Sequence, residues 1–198
     1  MIQNYKIIIS IIAVLLSFIG YGIYIRDIFK GKIKPHIFTF LIWGIASSIT
    51  WGLQVQGGAG VGAWITFAVS AICILVFFLC FKYGEKNITK LDIFFLCVSL
   101  FALFLWRVVD QPVLSIILLT SADLFGFAPT VRKSWNKPHE EGLFTWELTA
   151  FRHALGILAL EKFNILTTLY PVVWVIGNTA FSIFIIIRRK KLGKTELK

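Results

Sequence analysis

The stretch GFAPTVRKSWNKPH, residues 126–139, has an earlier counterpart in GYGIYIRDIFKGKIKPH, residues 20–36. Counted from Gly20 and Gly126, the two stretches share glycine, an aromatic residue and arginine at matching positions. After a slip of three residues both end in Lys-Pro-His, and beyond the histidine Trp43 aligns with Trp146. The sequence therefore predicts an internal repeat.

Hydropathy places both copies in a membrane. The chain has 198 residues, 58% of them hydrophobic, and a mean hydropathy of +0.82. A helix needs about 20 apolar residues to cross the bilayer, and seven stretches meet that need. We predict a spanning helix in each of them: 6–26, 36–55, 62–82, 91–107, 112–131, 143–160 and 165–187. The first is long for a signal peptide and no A-x-A-like cleavage site follows it, so we expect it to be retained.

The basic residues predict the orientation of the chain. Sixteen of the 20 Lys and Arg residues lie beside the connections after the first, third and fifth predicted helices or after the seventh, and the opposite side holds only Lys6, Arg107 and Lys162. Since cytoplasmic loops carry the excess of basic residues, we expect a cell-membrane protein with its N-terminus outside and its C-terminus in the cytoplasm. The net charge of +10 then reflects topology and attraction to anionic membrane lipid, and we expect no nucleic-acid partner.

A unit of three helices begins on one face of the membrane and ends on the other. A second unit with the same orientation must begin on the first face again, so one extra helix is needed between the two units. We therefore predict an all-α polytopic membrane protein with seven transmembrane helices arranged as 3+1+3. Residues 1–83 form the first three-helix repeat, 84–110 the linker helix, 111–190 the second repeat and 191–198 a basic cytoplasmic tail. Parallel repeats of this kind are known among secondary transporters.

The stretches GFAPTVRKS (126–134) and EGLFTW (141–146) resemble the loop signature of the PQ-loop families, with Thr130 where glutamine usually stands. The 3+1+3 layout resembles the SWEET sugar transporters within that group, and also bacterial relatives of this fold with no assigned substrate. The resemblance implies a transporter in which Pro129 acts as a hinge. It also implies that Asn178 on helix 7 contacts the substrate, with Thr66 and Ser70 as the polar residues in the corresponding part of helix 3.

Polar residues inside the spans predict a central site, because such groups usually face a cavity or a partner instead of lipid. At about 100° per residue, Asp123 shares a face of helix 5 with Phe127, and Arg152 shares a face of helix 6 with Thr149. Ser17 is the repeat counterpart of Asp123. The predicted substrate-binding residues are Asp123, Arg152, His153, Trp146, Trp174, Asn178, Ser17, Tyr21 and Thr66. Two alternatives stay open: hydrogen bonds that join helices, and a structural ion pair between Asp123 and Arg152.

Lys-Pro-His occurs twice and has a structural interpretation. Proline is favoured at the first position of a helix, and acidic residues are favoured in the first turn. We therefore expect His36 and His139 to begin helices at the cytoplasmic rim, with Glu140 and Glu141 in the first turn of helix 6.

The sequence favours a membrane transporter of a small polar solute that works by alternating access between the two three-helix halves. The alternative is a non-transporting membrane receptor or interaction protein on the same scaffold, and a homo-oligomer is left open. We expect no enzyme, because neither H-E-x-x-H nor G-x-S-x-G occurs. We expect no metal and no cofactor either, since Cys73, Cys80 and Cys97 lie in or beside apolar spans without CxxC spacing.

Overall fold

The computed structural model describes residues 2–195, with the backbone alone for residues 2, 3 and 193–195. Within that range it contains seven α-helices, two short 3-10 turns and no strand. The helices are α1 (Ile2–Phe29), α2 (Ile37–Gln56), α3 (Ala63–Tyr83), α4 (Lys90–Val108), α5 (Pro112–Asn136), α6 (Leu143–Ala159) and α7 (Ile165–Thr195). The turns lie at Gly60–Gly62 and Pro138–Glu140.

Every predicted span forms a helix, and six of the seven described helices are long and apolar enough to cross a membrane. The exception is α6, whose 17 residues extend about 26 Å at 1.5 Å per residue, short of the roughly 30 Å hydrocarbon core. The all-helical, membrane-embedded class is thus confirmed, and membrane crossing by α6 stays a prediction. The tail predicted for 191–198 begins inside α7, and residues 196–198 lie outside the described residues.

Local signals set several helix ends. A capping box opens α4: the amide of Asp92 donates to the Thr89 hydroxyl, and the amide of Thr89 donates back to the Asp92 carboxylate at 2.8 Å. This exchange satisfies two N–H groups that the helix leaves free. At α5, Pro112 occupies the first turn, where its missing N–H costs no hydrogen bond.

Only the first Lys-Pro-His stretch stands at a helix start as predicted: His36 is the N-cap of α2, whereas His139 lies in the 3-10 turn before α6. Pro35 precedes α2 by two residues, and Pro138 begins the 3-10 turn that comes before α6. Glu141 lies outside α6 because its backbone is extended, with φ −120° and ψ 142°, which leaves its side chain free to reach Lys133. The prediction that Glu140 and Glu141 occupy the first turn of α6 is therefore wrong.

We call α1, α2 and α3 the first triple and α5, α6 and α7 the second. In the first, α3 contacts both α1 and α2, and in the second, α7 contacts both α5 and α6. Between the triples, α1 packs against α6 and α2 packs against α5. Helix α4 packs mainly against α5. Exchanging α1 with α5, α2 with α6 and α3 with α7 turns each contact within one triple into a contact within the other. The same exchange turns the α1–α6 contact into the α2–α5 contact.

Two glycines permit the close crossings between the triples. A Cβ atom on Gly126 of α5 would lie 2.8 Å from the Ile42 side chain of α2, and one on Gly20 of α1 would lie 3.0 Å from the Leu148 side chain of α6. Small residues at such crossings let helix backbones approach in a membrane. Gly20 and Gly126 are the first residues of the two similar stretches, and they permit the α1–α6 and α2–α5 contacts respectively.

The connections collect at two ends of the bundle. The basic end comprises residues 30–36, 84–89, 137–142 and 188–192, and its connections touch directly: the Glu85 amide donates to the Pro35 carbonyl at 2.9 Å, and Arg189 Nε donates to the Pro138 carbonyl at 3.1 Å. The connections that the sequence predicts on one face therefore meet in space.

The opposite end, called the glycine end, comprises residues 4–10, 57–63 and 160–166. Here Lys6 Nζ donates to the Leu160 carbonyl at 2.6 Å, and Asn164 Nδ2 donates to the Gly57 carbonyl at 2.8 Å. The start of α1 and the α2–α3 connection thereby contact the α6–α7 connection.

Candidate functional site

A small cavity lies between the two triples. Counted as the space open to the centre of a water-sized sphere, its volume is about 20 Å³, enough for one or two water molecules. Helices α1, α2, α3, α6 and α7 contribute its walls. The lining residues are Tyr21, Trp43, Val69, Cys73, Trp146, Thr149, Arg152, His153, Tyr170, Trp174 and Asn178. Six of the nine predicted substrate-binding residues are thus brought together.

Arg152 is the charged residue of the cavity wall. Its side chain is only 1% exposed, and its Nε and Nη1 atoms have no hydrogen-bond partner. The guanidinium carbon lies 5.7 Å from the centre of the Tyr21 ring, close enough for a cation–π contact. Burying a guanidinium whose donors are unused is costly. A polar ligand or water bound in the cavity would accept hydrogen bonds from it.

Asp123 is buried nearby but does not line the cavity. Both of its carboxylate oxygens lack a hydrogen-bond partner, although the Tyr170 and Trp174 side chains, which do line the cavity, lie beside it. Its main-chain carbonyl accepts a hydrogen bond from Trp43 Nε1 at 3.0 Å. Among the ion pairs of residues 2–195 none joins Asp123 to Arg152, so the structural ion pair left open by the sequence does not form here.

One face of α7 supplies three cavity residues at four-residue spacing: Tyr170, Trp174 and Asn178. Residues four apart lie one above the other on a helix. The Asn178 amide nitrogen donates to the Trp174 carbonyl at 2.6 Å, which leaves its carbonyl oxygen Oδ1 without a partner. The indole N–H of Trp174 is also unpartnered. The face therefore presents one free acceptor and one free donor.

Aromatic rings from both triples pack together at the cavity. The Trp43 ring centre lies 4.9 Å from that of Trp174 and 5.8 Å from that of Trp146. Phe127, the repeat counterpart of Tyr21, lies 5.5 Å from Trp43 and from Trp146. The repeat counterparts Trp43 and Trp146 thus touch each other, and the cavity has rigid, mostly apolar walls.

The other predicted residues lie outside the lining. Ser17 is buried, and its hydroxyl donates to the Ala13 carbonyl of its own helix at 2.9 Å. Thr66 is buried on α3, one turn before Val69, which lines the cavity. Pro129 is buried inside α5, and the helix continues through it to Asn136. A hinge at Pro129 stays a prediction.

Sequence reasoning missed Trp43, Tyr170, Val69 and Cys73 as lining residues, and it placed Thr149 on the right face without assigning it to the site. For two of these residues, Trp43 and Tyr170, the sequence contained a feature that could have identified them. Trp43 is the repeat counterpart of Trp146, and Tyr170 lies one turn before Trp174. Tyr170 also precedes Pro171, a second proline inside a helix. Val69 and Cys73 had no signal, since small apolar residues are common throughout α3.

Charged side chains close the basic end. Lys133 and Glu141 form a buried ion pair, and Lys133 Nζ also donates to the Lys34 carbonyl at 2.6 Å. The Lys34 ammonium pairs with Glu140 at 3.0 Å. The α1–α2 connection of the first triple is therefore held to α5 and the α5–α6 connection of the second.

Two further ion pairs join the α3–α4 region to the second triple. Arg132 Nε donates to Asp92 at 2.6 Å, and Lys137 pairs with Glu85 at 3.0 Å. Burial alone would raise the pKa of the Glu85 carboxyl, but the Asn87 amide and the Lys137 ammonium outweigh it and lower that pKa to about 2. Glu85 is therefore ionised at neutral pH.

The glycine end is closed mainly by hydrogen bonds to the main chain. The Glu161 amide donates to the Ala59 carbonyl at 3.2 Å, and the Ser10 hydroxyl donates to the Val61 carbonyl at 2.6 Å. Gly60 has a φ of +58°, a backbone conformation that glycine adopts without penalty. The Glu161–Ala59 bond thus joins the triples at this end as well.

Comparison with family models, with curated proteins and with solved structures finds no match to this chain. Among the described residues no group of three or more His, Cys, Asp and Glu side chains is placed to hold a metal ion.

Proposed function

We propose that this protein is a membrane transporter of a small polar solute and that it works by alternating access between two three-helix halves. The observation that carries the proposal is Arg152, a buried cation with unused donors at a cavity between the two triples. Ionisable groups at such depth are expensive and usually functional. The cavity position agrees with transporters in which the solute site lies between repeats.

The helix pairing supports the 3+1+3 arrangement within this proposal. The main contacts within and between the triples repeat when the first three helices are exchanged with the last three. Helix α4 lies to one side of that pattern, as a linker would. The excess of Lys and Arg at the basic end supports a cytoplasmic position for it, with the N-terminus outside.

Contacts at both ends support an occluded state. The basic end is joined across the triples by Lys133 and Lys34, and the glycine end by Asn164 and Glu161. Alternating access requires each set of contacts to break while the other holds. The Arg152 cavity would then open in turn to each face.

The alternative is a receptor or interaction protein that never opens to both faces. The Lys34–Glu140 ion pair and the hydrogen bond from Lys133 to the Lys34 carbonyl favour it, because both join the triples at the basic end and must break before that end opens. In that case only the glycine end would admit a solute. The two functions therefore differ in whether the cavity is ever reached through the basic end.

Cys73 gives a direct test, because it lines the cavity and is buried. With Cys80 and Cys97 replaced by alanine, the membrane-impermeant thiol reagent 2-sulfonatoethyl methanethiosulfonate is added to intact cells and, separately, to inside-out vesicles. Mass spectrometry then measures the modified fraction. A transporter is expected to take up the reagent at Cys73 from both faces.

The control is the same protein with Cys73→Ala, which is expected to take up no reagent in either preparation. Labelling from one face only contradicts transport and supports the receptor. Labelling from neither face contradicts both an accessible cavity and the transport proposal.

A further inference from the structure

We propose that the solute of this cavity is a small organic anion whose carboxylate pairs with Arg152. The inference rests on the proposed function, since it names the solute class of the same site. It follows from the charges of the cavity wall, from its free hydrogen-bonding groups and from the apolar nature of the remaining surface.

The first step is the charge of the wall. Arg152 carries the only permanent charge among the lining residues. Asp123 lies outside the lining and makes no ion pair with it. A ligand in the cavity therefore meets a cation with no matching anion in the wall, and a carboxylate supplies the missing charge.

The second step is the supply of donors. Arg152 Nε and Nη1 are buried donors with no partner, whereas the Trp174 indole lies beside the Asp123 carboxylate. Carboxylate oxygens accept such bonds, and charge-assisted bonds are roughly twice as strong as neutral ones. A cationic solute would meet these donors with like charge and leave them unsatisfied.

The third step concerns the rest of the solute. Trp43, Trp146 and the Tyr21 ring form much of the remaining wall, and their ring faces favour apolar or aromatic groups. The Asn178 Oδ1 atom is one free acceptor, which suits a single hydroxyl or N–H on the solute. The chemistry thus fits a carboxylate, and the volume of about 20 Å³ limits it to the smallest members of that class.

An uncharged solute or water is the competing occupant. Either can satisfy single hydrogen bonds, but neither neutralises the buried guanidinium, whose charge is the costly part of its burial. The two cases differ in a measurable way: binding of an anion depends on the charge of the ligand, and binding of an uncharged solute does not.

The test uses the full-length protein in lipid nanodiscs with matched pairs of probes. Formate is compared with formamide, and acetate with acetamide, by isothermal titration calorimetry and by thermal unfolding, because the cavity has room for only one or two water molecules. We expect the carboxylates to bind and to raise the unfolding temperature, since a ligand of the folded state stabilises it. We expect the amides to bind at least about tenfold more weakly, because they lack the charge-assisted bond.

Arg152→Gln is expected to weaken carboxylate binding by about tenfold or more and to abolish the preference over the amides. Arg107→Gln, at an exposed position outside the cavity, is the matched control and is expected to bind as the parent protein does. If Arg152→Gln does not fold, Arg152→Lys keeps a charge and is expected to retain the preference with weaker binding.

Equal binding of acetate and acetamide, or carboxylate binding that survives Arg152→Gln unchanged, would overturn the inference. If Cys73 is labelled from both faces while the amides bind as well as the carboxylates, transport stands and the anion fails. If carboxylates bind selectively while Cys73 is labelled from one face only, the anion stands and transport fails.

Discussion

The two ends of the bundle are closed by different chemistry. At the basic end, Lys133 and Glu141 are 3% and 1% exposed and form an ion pair that joins α5 to the start of α6. At the glycine end, the contacts are hydrogen bonds to main-chain carbonyls, such as that from Asn164 Nδ2 to Gly57 at 2.8 Å. The Lys133–Glu141 pair lies within the second triple, and Lys133 joins it to the first triple through the Lys34 carbonyl.

The difference indicates which end contributes more to stability. Removing one partner of a buried ion pair costs about 3–5 kcal/mol, whereas a hydrogen bond near the surface contributes roughly 0.5–1.5 kcal/mol and water can replace it. Loss of a side chain is therefore expected to destabilise the basic end more than the glycine end. Three substitutions test this comparison, and the first two have a counterpart at the other end.

The largest effect is expected from Glu141→Gln. The change leaves Lys133 as a buried cation whose remaining partners are carbonyl oxygens, so we expect a loss of about 3 kcal/mol of unfolding free energy. Thermal unfolding of the purified protein, followed by intrinsic tryptophan fluorescence, measures it.

Glu161→Gln makes the same chemical change at the glycine end. Glu161 is exposed, and glutamine keeps the oxygen that accepts from the Val61 amide, so we expect a loss under about 0.5 kcal/mol. Equal losses for the two variants would show that the ends are closed equally firmly, against the comparison drawn above.

A middle-sized effect is expected from alanine at two glycines with positive φ. Gly60→Ala at the glycine end forces a side chain into a φ of +58° and places its Cβ 2.0 Å from the Glu161 carboxyl carbon. Gly31→Ala at the basic end has a φ of +69° but meets nothing within 4 Å. We expect losses of about 2 and about 1 kcal/mol respectively.

Chemical denaturation of the two alanine variants in one detergent measures that difference. Because the backbone conformations are similar, the excess loss in Gly60→Ala reports the packing of Glu161 over the α2–α3 turn. Identical losses would mean that Glu161 moves aside freely and adds nothing to the closure of the glycine end.

The smallest effect is expected from Glu85→Gln, which removes the ion pair with the half-exposed Lys137. At neutral pH we expect a loss of under about 1 kcal/mol. The pKa of Glu85 in the folded protein is about 2, below its ordinary 4.5, so its contribution is present above pH 4.5 and is lost as the pH falls toward 2. The difference in unfolding temperature between parent and variant should therefore shrink across that range.

The helices themselves could be predicted from the sequence. A run of about 20 apolar residues has few alternatives to a helix in lipid, because its backbone must satisfy its own hydrogen bonds. The errors fell at helix ends, where side chains compete with the backbone. Glu141 leaves the first turn of α6 to meet Lys133, a partner eight residues earlier that hydropathy cannot identify.

The candidate site could be predicted only in part. The rotation of about 100° per residue placed Arg152, Trp174 and Asn178 on inward faces, and all three line the cavity. The sequence also left open an ion pair between Asp123 and Arg152, yet the two side chains form none. The rotation rule predicts the direction in which a side chain points from its helix. The distance between two side chains also depends on the spacing between their helices.

The sequence by itself determined the seven helices, the recurrence of one stretch in two places and the collection of basic residues beside alternate connections. These features depend on local composition and on the period of a helix, which the chain carries without reference to its neighbours. Only the tertiary structure decided which buried groups have partners: Lys133 pairs with Glu141, whereas two donors of Arg152 have no partner. The physical reason is that a hydrogen bond or ion pair needs atoms within about 3 Å, and that separation is set by the packing of helices distant in the chain.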